Sequence, residues 1–204
     1  MDTRIRILKT AGMLFSKLGI RAITMDTIAQ ELGISKRTIY EIFTDKDTLL
    51  EQAIIEGLKL HKEQILSQID EADNVIYAII NFVRSHHKIM SKINPLFFVD
   101  LQKYHPIVFK RINEKGELRD YRISKTLLEK GVKDGTFIND LNIELSNKFF
   151  HAVMDFCKPD GDIGEKYQIK DIAHTIFLPY LRGICTPKGL KLLDDTEFYK
   201  NIDL

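Results

Sequence analysis

Lys36, Arg37, Thr38 and Tyr40 are crowded into one short stretch of a 204-residue chain. Wound as a helix at about 100° per residue, that stretch turns Ile39, Ile42 and Phe43 inward and sends Arg37 nearly opposite them. Thr38 and Tyr40 then lie on the two flanks, and Lys36 sits at the exposed N-terminal end. Two cations, a hydroxyl and a phenol on the outer face of a short helix suit the major groove of duplex DNA. First-turn side chains reach base edges there while their neighbours grip phosphates. The same face also suits the solvated side of an ordinary helical bundle, because exposed Lys and Arg are common on any surface.

Presenting such a face takes a particular set of elements. Thr24 can accept from the unpaired N–H groups that open a helix over Met25–Leu32, where Asp26 complements the helix dipole. Ile28, Ala29 and Leu32 keep one side of it apolar. Gly33 can end that helix in a left-handed conformation at little cost, and Ser35 caps a second helix from Lys36 to about Phe43. A connection this short forces the two helices to cross as a helix-turn-helix. Ahead of them, Ile7, Leu8, Ala11, Leu14, Phe15 and Leu18 form a broad apolar stripe on a helix over Thr3–Leu18, closed by Gly19. That stripe is expected to pack across both later helices and set their angle. Arg4 and Arg6 precede it, open either to the DNA backbone or to solvent.

The pattern T-x-x-x-IA-x-x-x-G-I-S-x-x-T-IY-x-x-F-x-x-K-x-x-L, spread from Thr24 to Leu49, resembles the DNA-binding signature of the tetracycline-repressor (TetR) family. The resemblance implies an all-α protein of about nine or ten helices. An N-terminal three-helix helix-turn-helix head over 1–47 would precede a larger C-terminal helical domain over 48–204 for ligand binding and dimerisation. It further implies a one-component transcriptional repressor rather than an enzyme. Such a homodimer binds a palindromic operator in double-stranded DNA and leaves it when a small molecule binds. Carried over by position, Thr24, Thr38, Tyr40 and Lys46 match phosphate-gripping positions, and Lys36 and Arg37 fall where the family reads bases. Thr27 and Ser35 complete the candidate DNA-binding set.

Composition agrees with that class. A chain of 204 residues can hold a small domain and a larger one with a substantial core. No apolar run approaches the roughly 18 residues needed to span a bilayer, and Met1-Asp2-Thr3-Arg4 does not open a secretory signal, so no membrane partner and a cytoplasmic location are expected. The net charge of +1 leaves any attraction to DNA to a local patch. Cys157 and Cys185 form neither a metal spacing nor a disulfide framework; they read as buried thiols, with a redox pair as the alternative.

Beyond the head, Thr44 and Asp47 suit a capping box for a long helix with Leu49, Leu50, Ala53, Ile54, Leu58, Ile65 and Ile69 inward. A polar break over 70–74 leads to a helix from Val75 to about Lys92. Its His86-His87 pair reads as no metal site, because adjacent helical side chains diverge and no third ligand stands at i+4. Asn94-Pro95 and His105-Pro106 start two more helices, the second expected to run to about Asp134 with Gly116 interrupting it. Asn142 can cap a helix over Ile143–Cys157, and another spans about Ile169–Ile184, where Pro179 should kink or restart it. A last stretch over Leu190–Tyr199 completes the chain.

Two further sites follow. Phe82, His86, Met90, Phe97, Phe98, Leu101, Tyr104, Phe109 and Tyr121 supply a mostly apolar lining with a few polar tips, suited to an apolar or aromatic effector. Phe149, Phe150, Val153, Met154, Ile172, Ile176, Phe177 and Tyr180 are more apolar surface than two helices need for their own core, and are assigned to a dimer interface formed as the family forms it. No cofactor or metal is called for. The competing classes are a helical enzyme and an effector-independent architectural DNA-binding protein. The enzyme reading lacks paired carboxylates, a nucleophile–base pair and a phosphate-binding glycine loop.

Overall fold

The computed structural model describes residues 2–114, 121–156 and 166–196, apart from the side chains of Phe156 and Ile169. Helical periodicity is realised as α1 (Thr3–Leu18), α2 (Met25–Leu32), α3 (Lys36–Ile42), α4 (Lys46–Asp70), α5 (Val75–Met90), α6 (Pro95–Tyr104) and α7 (Pro106–Glu114). There follow α8 (Arg122–Lys133), α9 (Ile143–Phe156), α10 (Ile169–Ile172), a π-helical turn (Ala173–Phe177), α11 (Leu178–Ile184) and α12 (Pro187–Asp194). The fold is all-α. Among the described residues no helix is long and apolar enough to cross a membrane.

Packing groups the chain into two compact units, Met1–Glu63 with Lys92–Asp120, and Gln64–Ser91 with Tyr121–Leu204. The first unit keeps most of α4 and takes in α6 and α7.

The core of the first unit is built on the stripe of α1. Ile7, Leu8, Ala11, Leu14 and Phe15 are buried, together with Ile28 and Ala29 of α2, Ile39, Phe43, and Leu49, Leu50 and Ala53 of α4. Phe97 and Leu101 of α6 and Val108 and Ile112 of α7 close the same core. Two residues expected inside lie outside it. Leu18 is 52% exposed and Ile42 36% exposed, each at the last position of its helix, where the chain turns away from the core. The start of α4 also differs from expectation. Asp45, not Thr44, is its cap: the Asp45 carboxylate accepts from Thr48 N–H at 2.7 Å, while the Thr44 and Thr48 hydroxyls pair at 3.2 Å. A carboxylate is the stronger acceptor and the better complement to a helix N-terminus.

In the second unit Val75, Ile76, Ile79, Ile80, Phe82 and Val83 of α5 meet Leu127 and Leu128 of α8, Phe150 and Met154 of α9, and Phe177, Leu181 and Ile184. The helix expected from His105 to Asp134 is two elements, α7 and α8. Tyr121 is in a turn, and Gly116 lies outside the described residues. Pro179, expected to kink or restart its helix, is accommodated without a break in the chain's helical path. It has no N–H to give, the backbone widens into the π-helical turn just before it, and α11 begins with Pro179 in its first turn. The last helix starts earlier than expected because Thr186 caps it, accepting from Gly189 N–H at 3.3 Å, with Pro187 preset for the first helical position. Residues 197–199 lie outside the described residues, as does Cys157. Burial pushes the Cys185 thiol up to about 11.

Close approach fixes α12 against the turn after α8. A Cβ at Gly189 would run into the Thr136 carbonyl oxygen and press on Cys185, whereas a Cβ at Gly57 meets nothing within 4 Å. Gly189→Ala is expected to destabilise the chain by about 1–3 kcal/mol through overpacking, and Gly57→Ala to stabilise α4 by about 0.5–1 kcal/mol. Thermal unfolding checks the pair: the midpoints should move in opposite directions.

Candidate nucleic-acid interface

Helix α3 is held by caps at both of its approaches. Thr24 opens α2 with a reciprocal box: its hydroxyl accepts from Thr27 N–H at 3.1 Å, and the Thr27 hydroxyl accepts from Thr24 N–H at 3.4 Å. Gly33 closes α2 at φ +65°, its N–H donating to the Gln30 carbonyl at 3.1 Å, and Ile34 N–H returns to the Ala29 carbonyl at 3.0 Å. Nothing stands within 4 Å of a Cβ at Gly33, so the left-handed backbone, not space, calls for glycine there. Ser35 then opens α3, its Oγ accepting from Thr38 N–H at 3.1 Å with the two hydroxyls 2.9 Å apart.

Ile39 and the C-cap Phe43 are fully buried, which turns the opposite face of α3 outward. On that face the Arg37 side chain is 88% exposed and Tyr40 is 46% exposed. Arg37 Nε donates to Glu41 Oε1 at 2.9 Å within the helix, and Lys36 Nζ donates to Asp26 Oδ2 at 2.6 Å across to α2. The Asp26 carboxylate raises the Lys36 pKa. Exposed pairs of this kind are screened by solvent and add little stability, so both cations are oriented without being committed and could be taken over by phosphates or base edges. Glu41 was not singled out from the sequence; it shares the outer face and can accept from cytosine N4.

Of the candidate set, Thr24, Ser35, Lys36, Arg37 and Tyr40 are exposed and Thr27 and Thr38 half-buried, all on α2, α3 or their caps. Lys46 is placed differently. Its Nζ turns inward and donates to the Ile20 carbonyl at 2.7 Å, 5.8 Å above the centroid of the Phe15 ring. Burial lowers its pKa, opposed by the carboxylates of Asp100 and Asp47. Around the same turn, Asp100 Oδ2 accepts from Arg21 N–H at 2.9 Å, and the Arg21 guanidinium donates to Tyr104 Oη at 3.1 Å and stacks 4.3 Å from its ring centre. Asp100 stands 79 positions from Arg21. No local pattern could have joined them.

The residues assigned to an effector site divide between the units. Phe97 and Leu101 lie in the core of the first unit with Phe98 and Phe109 packed on it, and Tyr104 is 43% exposed beneath Arg21. In the second unit Phe82 is buried and stacks on His86 with centroids 6.5 Å apart, Met90 is half-buried, and Tyr121 meets His151 edge-on at 4.2 Å. A void of about 10 Å³ in the second unit is lined instead by Ile79, Ser124, Leu127, Leu128, Phe150, Tyr180, Leu181 and Ile184. That is room for roughly one water. Beside it Ser124 Oγ lies 2.7 Å from Asn147 Oδ1 and 2.6 Å from His151 Nε2, and Asn147 Nδ2 donates to the Tyr121 carbonyl at 2.9 Å.

The residues assigned to the dimer interface divide by face. Phe150, Val153, Met154, Ile172 and Phe177 are buried within the chain, while Ile176 and Tyr180 are half-buried. Phe149 is 47% exposed, its ring 5.1 Å from that of Tyr180. Leu145, at 65%, and Ala152 are exposed on the same side of α9 at helical spacing.

Known proteins match this architecture. Residues 7–53 match the model of "Bacterial regulatory proteins, tetR family". The HTH-type transcriptional repressor KstR2 of Rhodococcus jostii (strain RHA1) is 24% identical over 195 residues, covering 90% of this chain and 92% of that one. The fatty acid degradation regulator FadR from Bacillus halodurans superposes with a TM-score of 0.69 at 21% identity, over 89% of this chain and 95% of that one. FadR from Bacillus subtilis, in complex with stearoyl-CoA, superposes with a TM-score of 0.65 at 18% identity, over 88% and 98%. Residues 7–53 thus match the tetR-family model over α1 to α3 and the start of α4, and the helical remainder has the same fold as these bacterial transcriptional regulators.

Proposed function

We propose that this chain represses transcription by binding a palindromic operator as a homodimer, and that a small apolar or aromatic molecule releases it. The observation that carries the reading is α3 itself, capped by Ser35 and anchored by Ile39 and Phe43, with Lys36, Arg37 and Tyr40 turned out to solvent. In this reading Thr24, Thr27, Ser35, Thr38 and Tyr40 hold phosphates and Lys36 and Arg37 read bases. Residues 1–47 act as the DNA-binding domain, and the rest of the chain binds effector and pairs the protomers.

For pairing, the outward stripe of Leu145, Phe149 and Ala152 supports an interface on α9, completed by Ile176 and Tyr180. Phe150, Val153, Met154, Ile172 and Phe177 back it from beneath. Two heads on a twofold axis meet half-sites about one helical turn (~34 Å) apart. For release, the phenyl rings of α6 and α7 support an effector acting on the head directly, because Phe97 and Leu101 are part of the core on which α1 and α4 rest. Two heads knocked out of register lose the simultaneous grip that makes dimer binding strong. FadR bound to stearoyl-CoA makes long-chain acyl thioesters the first compounds to try.

Selection of bound fragments from random or genomic DNA tests the whole reading. The expected product is a palindrome; binding indifferent to sequence would exclude an operator. Repeating the selection with Arg37→Ala should relax one base position per half-site, at a cost of about 1–3 kcal/mol there. Phe149→Glu should convert the dimer to monomer in sedimentation while leaving the unfolding temperature of the monomer fold intact. Phe150→Glu would instead break the core, since a buried charge is far costlier than a surface one. An acyl-CoA series titrated into operator complexes should weaken DNA binding by a coupling of about 1–3 kcal/mol, matched by equally weakened ligand binding in the presence of operator. A compound that binds with the same affinity with and without DNA would not be the effector.

A further inference from the structure

The turn between α1 and α2 is held by side chains that arrive from far along the chain. The peptide unit joining Ile20 to Arg21 is grasped at both ends. Lys46 Nζ donates to its carbonyl oxygen at 2.7 Å, and Asp100 Oδ2 accepts from its N–H at 2.9 Å. Asp100 is 7% exposed, so its bond is shielded from competing water. Ile23 N–H returns to the same Ile20 carbonyl at 3.3 Å, and Thr24, the cap of α2, follows directly. The orientation of this one peptide plane therefore sets where α2 begins.

Independent geometry shows that α6 is built to deliver Asp100 there. Gly19, at φ +83°, leaves so little space that a Cβ would lie 3.2 Å from Asp100 Oδ2 and 3.3 Å from Leu96 Cβ. The N-terminus of α6 also answers the end of α1. Asn94 N–H donates to the Ser16 carbonyl at 2.7 Å and its amide to the Lys17 carbonyl at 3.2 Å, while its Oδ1 caps Leu96 at 2.9 Å. Carbonyls that would otherwise be left unpaired at the end of α1 are thus satisfied by α6. Further along α6, Tyr104 lies under the Arg21 guanidinium.

We propose that Asp100 and Lys46 are positioning residues for operator binding, which act by clamping the Ile20–Arg21 peptide and so aiming α2 and α3. The proposal rests on the reading of this chain as an operator-binding protein. It assigns Lys46 a place inside the head instead of on a phosphate, and it makes α6 a working part of the DNA-reading unit. A lysine that grips a phosphate and one that grips a peptide differ in a measurable way. Loss of a phosphate contact flattens the dependence of log K on log salt by about 0.9. Loss of a peptide contact lowers affinity and leaves that slope alone.

The test uses the full chain with the variants Asp100→Ala, Asp100→Asn, Lys46→Met and the Asp100→Ala/Lys46→Met pair. Operator affinity is measured across a salt series, and amide hydrogen exchange is followed without DNA. Asp100→Ala and Lys46→Met should each weaken operator binding about tenfold with an unchanged salt slope. The double variant should be scarcely worse than either single, because both residues hold one peptide. Asp100→Asn keeps an acceptor oxygen for Arg21 N–H and should stay within about threefold of the unsubstituted chain. Exchange at the Arg21 amide should speed up in Asp100→Ala and remain slow in Asp100→Asn, while α9 amides are unaffected. A Lys46→Met slope reduced by about 0.9, fully additive losses, or Asp100→Asn as weak as Asp100→Ala would overturn the clamp. Failure of the unsubstituted chain to select an operator would instead remove the regulatory reading, and exchange at Arg21 would still decide whether the peptide is held.

Discussion

A helix of seven residues does not persist alone in water, since nucleation costs more than so few hydrogen bonds return. Everything about the head follows from having to hold α3 from outside. Ser35 supplies its first hydrogen bond, Gly33 brings it off α2 at a fixed angle, and Ile39 and Phe43 sink into a core that α1 dominates. That core is in turn closed by Phe97, Leu101, Val108 and Ile112 from α6 and α7. Residues some sixty positions later in the chain thus complete the support of α3.

Charge is organised to the same end. With a net charge of +1 the chain offers DNA no bulk attraction, so cations must be placed individually. Lys36 and Arg37 are each held by a carboxylate on an exposed surface, through Asp26 and Glu41. Such exposed pairs fix a direction yet cost little to give up. Lys46 follows a different rule. Half-buried against Phe15 and bonded to a backbone carbonyl, it would have to break a shielded contact to reach DNA.

The second unit shows how backbone exceptions shape an apolar surface. Pro179 cannot donate, and the π-helical turn before it re-phases the segment 169–184 so that Phe177, Leu181 and Ile184 all enter the core. Gly189 lets α12 touch the Thr136 carbonyl, and Thr186 N–H donates to that same oxygen at 2.9 Å. With Phe150 and Met154 committed to this core, α9 still carries Leu145, Phe149 and Ala152 outward, an apolar stripe left exposed among the described residues.

The sequence by itself determined what depends on neighbours along the chain. Caps at Thr24 and Ser35, the glycine stops at Gly19 and Gly33, and helical periodicity are local, so α1 to α3, α5 and the signature they carry were legible from residue types and spacing. Close competitors blurred the edges: Asp45 outbid Thr44 as a cap, and Thr186-Pro187 opened a helix read as starting at Leu190. Tertiary structure decided which apolar residues face which partner. Periodicity says that Phe149 and Phe150 differ by about 100°, but only packing against α5 and α8 sends Phe150 inward and leaves Phe149 outside. Likewise nothing near Lys46 in the chain announces Ile20, and nothing near Arg21 announces Asp100. Those bonds exist because folding brings α4 and α6 to one peptide, and a contact across 79 positions leaves no mark on local sequence.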